Sequence, residues 1–249
     1  MNDRQKRIYN VIEKNGNASV EQLVREVFAS PATIRRDLTK MEADGIITRI
    51  WGGAMLSNKA GMDPPAFARA VENVSAKKSI ARKALQLISE GSSVFLPSGS
   101  TVSELCKILT TFSDLTVITT CIDFVDEIRK SSSIKVFVPA GELYERHDIV
   151  GALTKSSIEK FYADYFFFSC SGLTADGFTS NDLNRLEVLE TMSTHSAKTV
   201  LLCDSSKVGK KCTYFGFELE KIDVVIMDKS PKDKVLIEKL GKKLIVCEQ

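Results

Sequence analysis

The 249-residue chain is notable first for what it has little of. Neither sign of charge dominates: Lys plus Arg number 34 against 32 Asp plus Glu, a net +2. Composition alone therefore announces no nucleic-acid partner, since many DNA-binding domains are far more basic. Histidine is scarce, with only His147 and His195. The six cysteines (Cys106, Cys121, Cys170, Cys203, Cys212 and Cys247) form no CxxC pair. That argues against a zinc site, and no metal ligand or cofactor is assigned. Most of the thiols lie in apolar runs such as LLCD and LIVCE, where cysteine behaves as a small hydrophobe. No apolar run approaches a membrane span. The N-terminus is polar, without a secretory pattern. The expectation is a protein of the reduced cytoplasm. There is no internal repeat and no low-complexity tract, and the length allows two domains.

The stretch Ser30–Gly53, SPATIRRDLTKMEADGIITRIWGG, is the most informative. Ser30 is a good N-cap and Pro31 suits the first helical position, where its missing N–H costs nothing. Ile34, Leu38 and Met41 form an apolar face. Thr33, Arg36 and Lys40 fall on another face, flanked by Arg35. Asp44-Gly45 stops the helix, Ile46–Ile50 reads as a short strand, and Gly52-Gly53 as a tight turn. A helix followed by a hairpin is the layout of a winged helix-turn-helix, whose recognition helix enters the major groove. Arginine suits that task because its planar fork bonds guanine O6 and N7 together. An ordinary surface helix with two exposed arginines fits the same residues. Residues 1–58 carry nine basic and seven acidic side chains, so placement rather than total charge bears the argument.

Upstream, residues 3–14 read as an amphipathic helix with Ile8, Val11 and Ile12 inward. Residues 20–28 form a second, with Ser19 as N-cap, Gln22 as its capping-box partner, and Val20, Leu23, Val24 and Val27 apolar. Residues 58–76 are polar with Pro64-Pro65, a linker in which Phe67 and Val71 are expected to dock on the next domain. From Lys77 helices and strands alternate, which implies βαβ units and a mostly parallel sheet. The expected domains are thus 1–57, 58–76 as linker, and 77–249.

In an open parallel sheet, ligands bind beyond the carboxyl ends of the strands. Four loops qualify: Pro97–Thr101, Thr119–Cys121, Ala140-Gly141-Glu142 and Asp204–Lys207. In the first, Gly99 allows close backbone approach and Ser100 and Thr101 offer hydroxyls. The adjoining helix start attracts an anion such as phosphate. A plain Ser/Thr cap fits the same loop. Lys207 is either a point charge for that anion or a solvated lysine. Leu143–Asp148 reads as loop.

Residues 3–57 resemble the N-terminal domain of DeoR-type bacterial repressors, through the serine before the helix, TIRRDL, the acidic-Gly turn and GGA. The later loops resemble that family's C-terminal sensor domain, which is similar to ribose-5-phosphate isomerase. The matching pieces are GST at 99–101, VITT at 117–120, Gly141–Tyr144, DSSK at 204–207, FxxxSG and ELEKIDVVIMD. Departures are Trp51 for histidine, Pro97 for aspartate, Cys121 for asparagine, Ala140 for glycine, and Leu189-Glu190 for a lysine-arginine pair. The resemblance implies a repressor that binds operator duplex DNA through Ser30, Thr33, Arg35, Arg36, Lys40, Arg49, Trp51 and Gly52. It implies a phosphorylated sugar or related effector near Ser98, Gly99, Ser100, Thr101, Thr120, Cys121, Gly141 and Lys207, and a homo-oligomer. No catalytic residue is assigned. Two other readings stay open: an isomerase-like enzyme drawing on Asp123, Glu142 or Asp204, and a regulator without an effector.

Overall fold

The computed structural model describes residues 1–56, 69–70, 72–131, 133–145 and 147–247. Two compact units separate between Glu72 and Asn73. Phe67 and Val71 lie outside the described residues.

The first unit holds α1 (Asp3–Asn15), β1 (Asn17–Ser19), α2 (Val20–Val27), α3 (Pro31–Ala43), β2 (Ile47–Ile50) and β3 (Gly53–Leu56). Ile8, Ile12, Leu23, Ile34, Leu38, Met41 and Ile47 are buried together. The two-way capping box belongs to α1, where Asn2 and Gln5 bond reciprocally. At α2 only half of the expected box forms. Ser19 accepts from the Gln22 amide, while the Gln22 side chain turns to Glu26 one turn on. β1, unforeseen, pairs antiparallel with β3, giving the order β1-β3-β2. The wing turn is Trp51-Gly52, one residue earlier than expected. Gly53 instead opens β3, where a Cβ would sit 2.3 Å from the Ala18 carbonyl oxygen.

The second unit runs α4 (Val74–Leu85), β4 (Ser93–Leu96), α5 (Ser100–Leu109), β5 (Leu115–Thr119), α6 (Ile122–Ile128), β6 (Ile134–Phe137), β7 (Glu142–Tyr144), β8 (Asp148–Val150) and α7 (Ala152–Ile158). It continues with β9 (Ala163–Phe168), β10 (Gly172–Thr174), β11 (Gly177–Ser180), α8 (Leu183–Thr194), β12 (Ser196–Cys203), β13 (Tyr214–Phe215), β14 (Val224–Met227), α9 (Lys234–Leu240) and β15 (Leu244–Val246). The main sheet has the order β15-β14-β12-β9-β4-β5-β6, with every pairing parallel. Its strands are apolar on both faces, as a sheet covered on two sides requires. Phe95, Phe166 and Phe168 join α7, α8 and α9 on one side. Val94, Leu96 and Phe167 join α4, α5 and α6 on the other.

Residues 143–148 are not plain loop: β7 and β8 form a hairpin there, with Tyr144 paired to Asp148. Helix α8 starts at Leu183 because Asp182 caps it by accepting from the Arg185 amide at 3.1 Å. A second small sheet, β10-β11-β13, was also not foreseen.

Candidate functional site

Helix α3 begins as local chemistry dictates. Ser30 accepts from the Thr33 amide, Pro31 follows, and the Ser30 and Thr33 hydroxyls lie 2.8 Å apart. Beyond them Arg35, Arg36 and Lys40 are exposed and form no ion pair with a described residue. Their charges are thus open to an external partner. Asp37, one step further round, turns inward and is buried. It accepts from Arg4 Nε at 2.5 Å and Gln5 Nε2 at 3.3 Å, tying α3 to α1. A carboxylate so held is neutralised within the unit rather than facing the arginines' side.

The wing is laced to the same helix. The Arg49 amide donates to Glu42 at 3.0 Å, and its guanidinium reaches the Thr39 hydroxyl at 3.4 Å. Trp51 at the wing tip is 104 % exposed, so its ring packs on none of the described residues. Gly52 beside it has φ +75, and its carbonyl accepts from the Val20 amide at 2.9 Å. Helix, wing strand and wing tip therefore present three basic groups, a tethered arginine and a bare indole.

In the second unit, successive strands step outward in one direction from β4 to β6, and in the other from β9 to β15. The strand order reverses between β4 and β9, and ligands of open α/β sheets bind outside such a point. The loop after β4 is Pro97–Gly99, and the segment after β9 begins at Ser169. They meet: a Cβ on Gly99 would lie 2.4 Å from Ser169 Oγ, and Gly99 has φ +155. Only glycine fits there. Gly99 is also the N-cap of α5, and no side chain caps it. The loop is thus not a plain Ser/Thr cap, and the first amides of α5 lack helical acceptors, the arrangement that attracts an anion. Ser100 is half-buried and Thr101 buried.

Beside this loop lies a polar cluster that the sequence did not reveal. Ser98 donates to buried Asp148 at 2.9 Å. Asp148 also accepts from Arg185 Nε at 2.5 Å, with His147 at 3.5 Å. The other guanidinium nitrogens meet Asp182 at 3.1 Å and Glu145 at 2.5 Å. Burial alone would lower the Arg185 pKa, but the three carboxylates raise it overall, so the side chain stays charged. The Arg185 guanidinium also stands over the Tyr144 ring, 5.6 Å from its centre.

Thr120 and Cys121 are buried against the same hairpin. The Thr120 carbonyl accepts from the Ile149 amide, and Cys121 bridges to Asp148. Burial first, and the Asp148 charge second, push the Cys121 thiol up to about 12. Such a thiol is inert near neutrality. Asp148 thereby gathers Ser98 and Cys121. Gly141 packs elsewhere, where a Cβ would meet Thr154 Oγ1 and Ile149. Lys207, half-exposed, ends a short turn that Asp204 caps through the Ser206 amide, and no contact with a described residue joins it to the Gly99 loop. Of the departures, Pro97 is buried, Leu189 sits in the core, and Glu190 is exposed. Asp123 and Glu142 are exposed on α6 and β7, while Asp204 is buried and engaged by Ser206 and Asn73.

Comparison with known proteins respects this division. The DeoR-like helix-turn-helix domain matches residues 4–60, and the DeoR C terminal sensor domain matches residues 72–229. The HTH-type transcriptional regulator GolR of Listeria innocua is 30% identical over 228 residues, 91% of this chain and 90% of the relative. The lactose phosphotransferase system repressor of Streptococcus mutans is 30% identical over 247 residues, 96% of each chain. The glycerol-3-phosphate regulon repressor of Escherichia coli is 27% identical over 231 residues, 92% of this chain and 91% of the relative. Among solved structures, ribose 5-phosphate isomerase A of Methanocaldococcus jannaschii is similar over 55% of each chain, with 14% identity and a TM-score of 0.43.

Proposed function

The chain belongs to the DeoR family of transcriptional regulators, and from that premise we propose that it is a cytoplasmic repressor of a carbohydrate operon, released from its operator by a phosphorylated sugar or related metabolite. Residues 1–57 bind DNA, 58–76 connect, and 77–249 sense the effector and hold a homo-oligomer. Thr33, Arg35 and Arg36 read base edges. Ser30 and Lys40 hold phosphates, and Arg49, Trp51 and Gly52 contact the backbone beside the wing. Relatives named for the lactose phosphotransferase system and the glycerol-3-phosphate regulon favour an effector from sugar or polyol metabolism.

The observation that supports the sensing role is the Gly99 turn: an uncapped helix start at the point where the strand order reverses. Its open amides receive the effector's phosphate, with the Ser100 and Thr101 hydroxyls alongside. Ser98 and Asp148 accept or relay hydrogen bonds from the sugar end. Thr120 and Cys121 shape the floor through packing, Gly141 acts only through its packing on Ile149 and Thr154, and Lys207 adds charge from the exit of β12, two strands from β4. A ligand releases DNA only if it binds the non-operator arrangement more tightly.

The test is a thermal-shift screen of the full chain against sugar phosphates and inorganic phosphate, with the best ligand carried into an operator-binding titration. A ligand that raises the melting temperature and weakens operator binding supports the reading. Equal affinity for operator and scrambled DNA sinks the specific repressor. Turnover of a pentose or hexose phosphate would instead favour an enzyme.

A further inference from the structure

Cys170 and Cys203 face each other at the ligand edge of the main sheet. β9 and β12 are paired in parallel at a constant offset of 33 residues, from Ala163 with Ser196 to Phe168 with Leu201. Cys170 and Cys203 continue that offset two residues beyond the last pair. Their sulfurs lie 3.9 Å apart. Paired strands run about 4.8 Å apart, inside the Cα separation a disulfide accepts. The sulfur gap is about twice an S–S bond length, and forming the bond requires the two side chains to rotate toward each other.

The two thiols differ in access. Cys203 is buried, and Cys170 is half-buried. Their neighbours belong to the proposed sensing edge. Ser169, next to Cys170, abuts Gly99. Asp204, next to Cys203, caps the turn carrying Lys207. The contact with Cys170 and burial hold the Cys203 thiol high, so Cys170 is the sulfur open to an oxidant; elsewhere, Cys106 and Cys121 are both buried.

We infer that Cys170 and Cys203 form a reversible disulfide in response to a hydroperoxide, making this strand pair a redox-modification site. The Cys170 thiolate attacks the outer peroxide oxygen. The O–O bond breaks, an alcohol or water leaves, and Cys170 becomes a sulfenic acid. The Cys203 sulfur then attacks the Cys170 sulfur, its proton leaves with the displaced hydroxide as water, and the S–S bond forms. In sum, two thiols lose two electrons to one peroxide. In a reduced compartment such bonds are transient and serve sensing. The bond would staple the exits of β12 and β9, and β9 leads into the Ser169 that meets Gly99, giving the unit a second input besides its ligand. That regulatory consequence rests on the proposed sensing edge; the disulfide itself does not.

The sequence makes the test direct. Trypsin releases Cys170 within residues 161–185 and Cys203 within residues 199–207, each as the sole cysteine of its peptide. The full chain is treated with graded hydrogen peroxide, alkylated and digested without reductant. The expected result is the linked peptide pair, appearing at a peroxide dose at least tenfold below that which modifies Cys106 or Cys121, and lost on adding dithiothreitol. In Cys203→Ala, Cys170 should instead be trapped by dimedone as its sulfenic acid. Cys170 linked to Cys212 or to a second copy would overturn the inference. So would Cys203 remaining fully alkylatable, or a Cys203→Ala protein that gives no dimedone adduct. A ligand screen without hits would undo the sensing edge alone and leave the disulfide result standing.

Discussion

Phe28 ends α2 in the left-handed region, with φ 56 and ψ 48, while 89 % exposed. A bulky side chain there costs about 1–2 kcal/mol and gains no packing in return. Phe28→Gly should therefore raise the stability of the first unit by about 1 kcal/mol, after the extra unfolded-chain entropy of glycine is subtracted. Thermal unfolding of the two proteins checks it; an unchanged or lower melting temperature means the ring is held by something other than the described residues. Gly99 is the opposite case. Gly99→Ala adds a Cβ 2.4 Å from Ser169 Oγ at a positive φ, so it should destabilise the second unit by about 1–3 kcal/mol and abolish phosphate-dependent stabilisation. At this scale the sequence was informative where the cause is local. Ser30, Pro31 and Gly45 act on their immediate neighbours, and the ends of α3 follow from them. Asp148 and Arg185 were invisible because they lie 37 residues apart and meet only once the hairpin has folded against α8.

Among elements, α3 carries the basic face, and its two kinds of contact are separable. If Arg36 reads a base edge, Arg36→Ala costs about 1–3 kcal/mol at one operator position and relaxes specificity there. If Lys40 holds a phosphate, Lys40→Ala weakens all sequences alike and lowers the salt slope by about one. Anisotropy titrations at several salt concentrations distinguish them, and a uniform loss for both would remove Arg36 from base recognition. A second element-level tie joins the turn after α4 to the start of β5. Glu90 accepts from the Ser113 and Asp114 amides, at 3.1 and 2.7 Å. These hydrogen bonds lower its pKa, so the folded state holds the carboxylate more tightly than the unfolded chain does. Its contribution is present above the ordinary glutamate value of about 4.3 and fades as pH falls through the lower folded value. Glu90→Gln should lose stability near pH 7 yet show a shallower decline in acid, measurable by denaturant titration from neutral pH down to about 3. The periodic helices and buried strands were legible in the sequence because each repeats one signal over several residues. The hairpin β7–β8 and the sheet β10-β11-β13 were not, since their strands run only two to four residues and their pairing is set by distant partners.

For the whole molecule, one recognition helix offers few contacts, and the first unit adds only two more basic side chains than acidic ones over residues 1–58. In the proposed homo-oligomer two copies are held together, which turns the second contact into an intramolecular event and supplies the missing affinity. The exposed Phe137, Leu143, Leu153 and Tyr162 leave the second unit with apolar surface that a second copy would cover. On that proposal, paired recognition helices meet paired operator half-sites, and the binding depends on the spacing and facing of those half-sites. Inserting about five base pairs between the half-sites turns one of them to the opposite side of the duplex. Affinity should then fall by about a hundredfold or more, the usual scale of lost avidity. Inserting about ten base pairs restores the facing and should recover part of that loss. Affinity indifferent to both insertions would mean that each copy binds alone, and the requirement for an oligomer would fall with it.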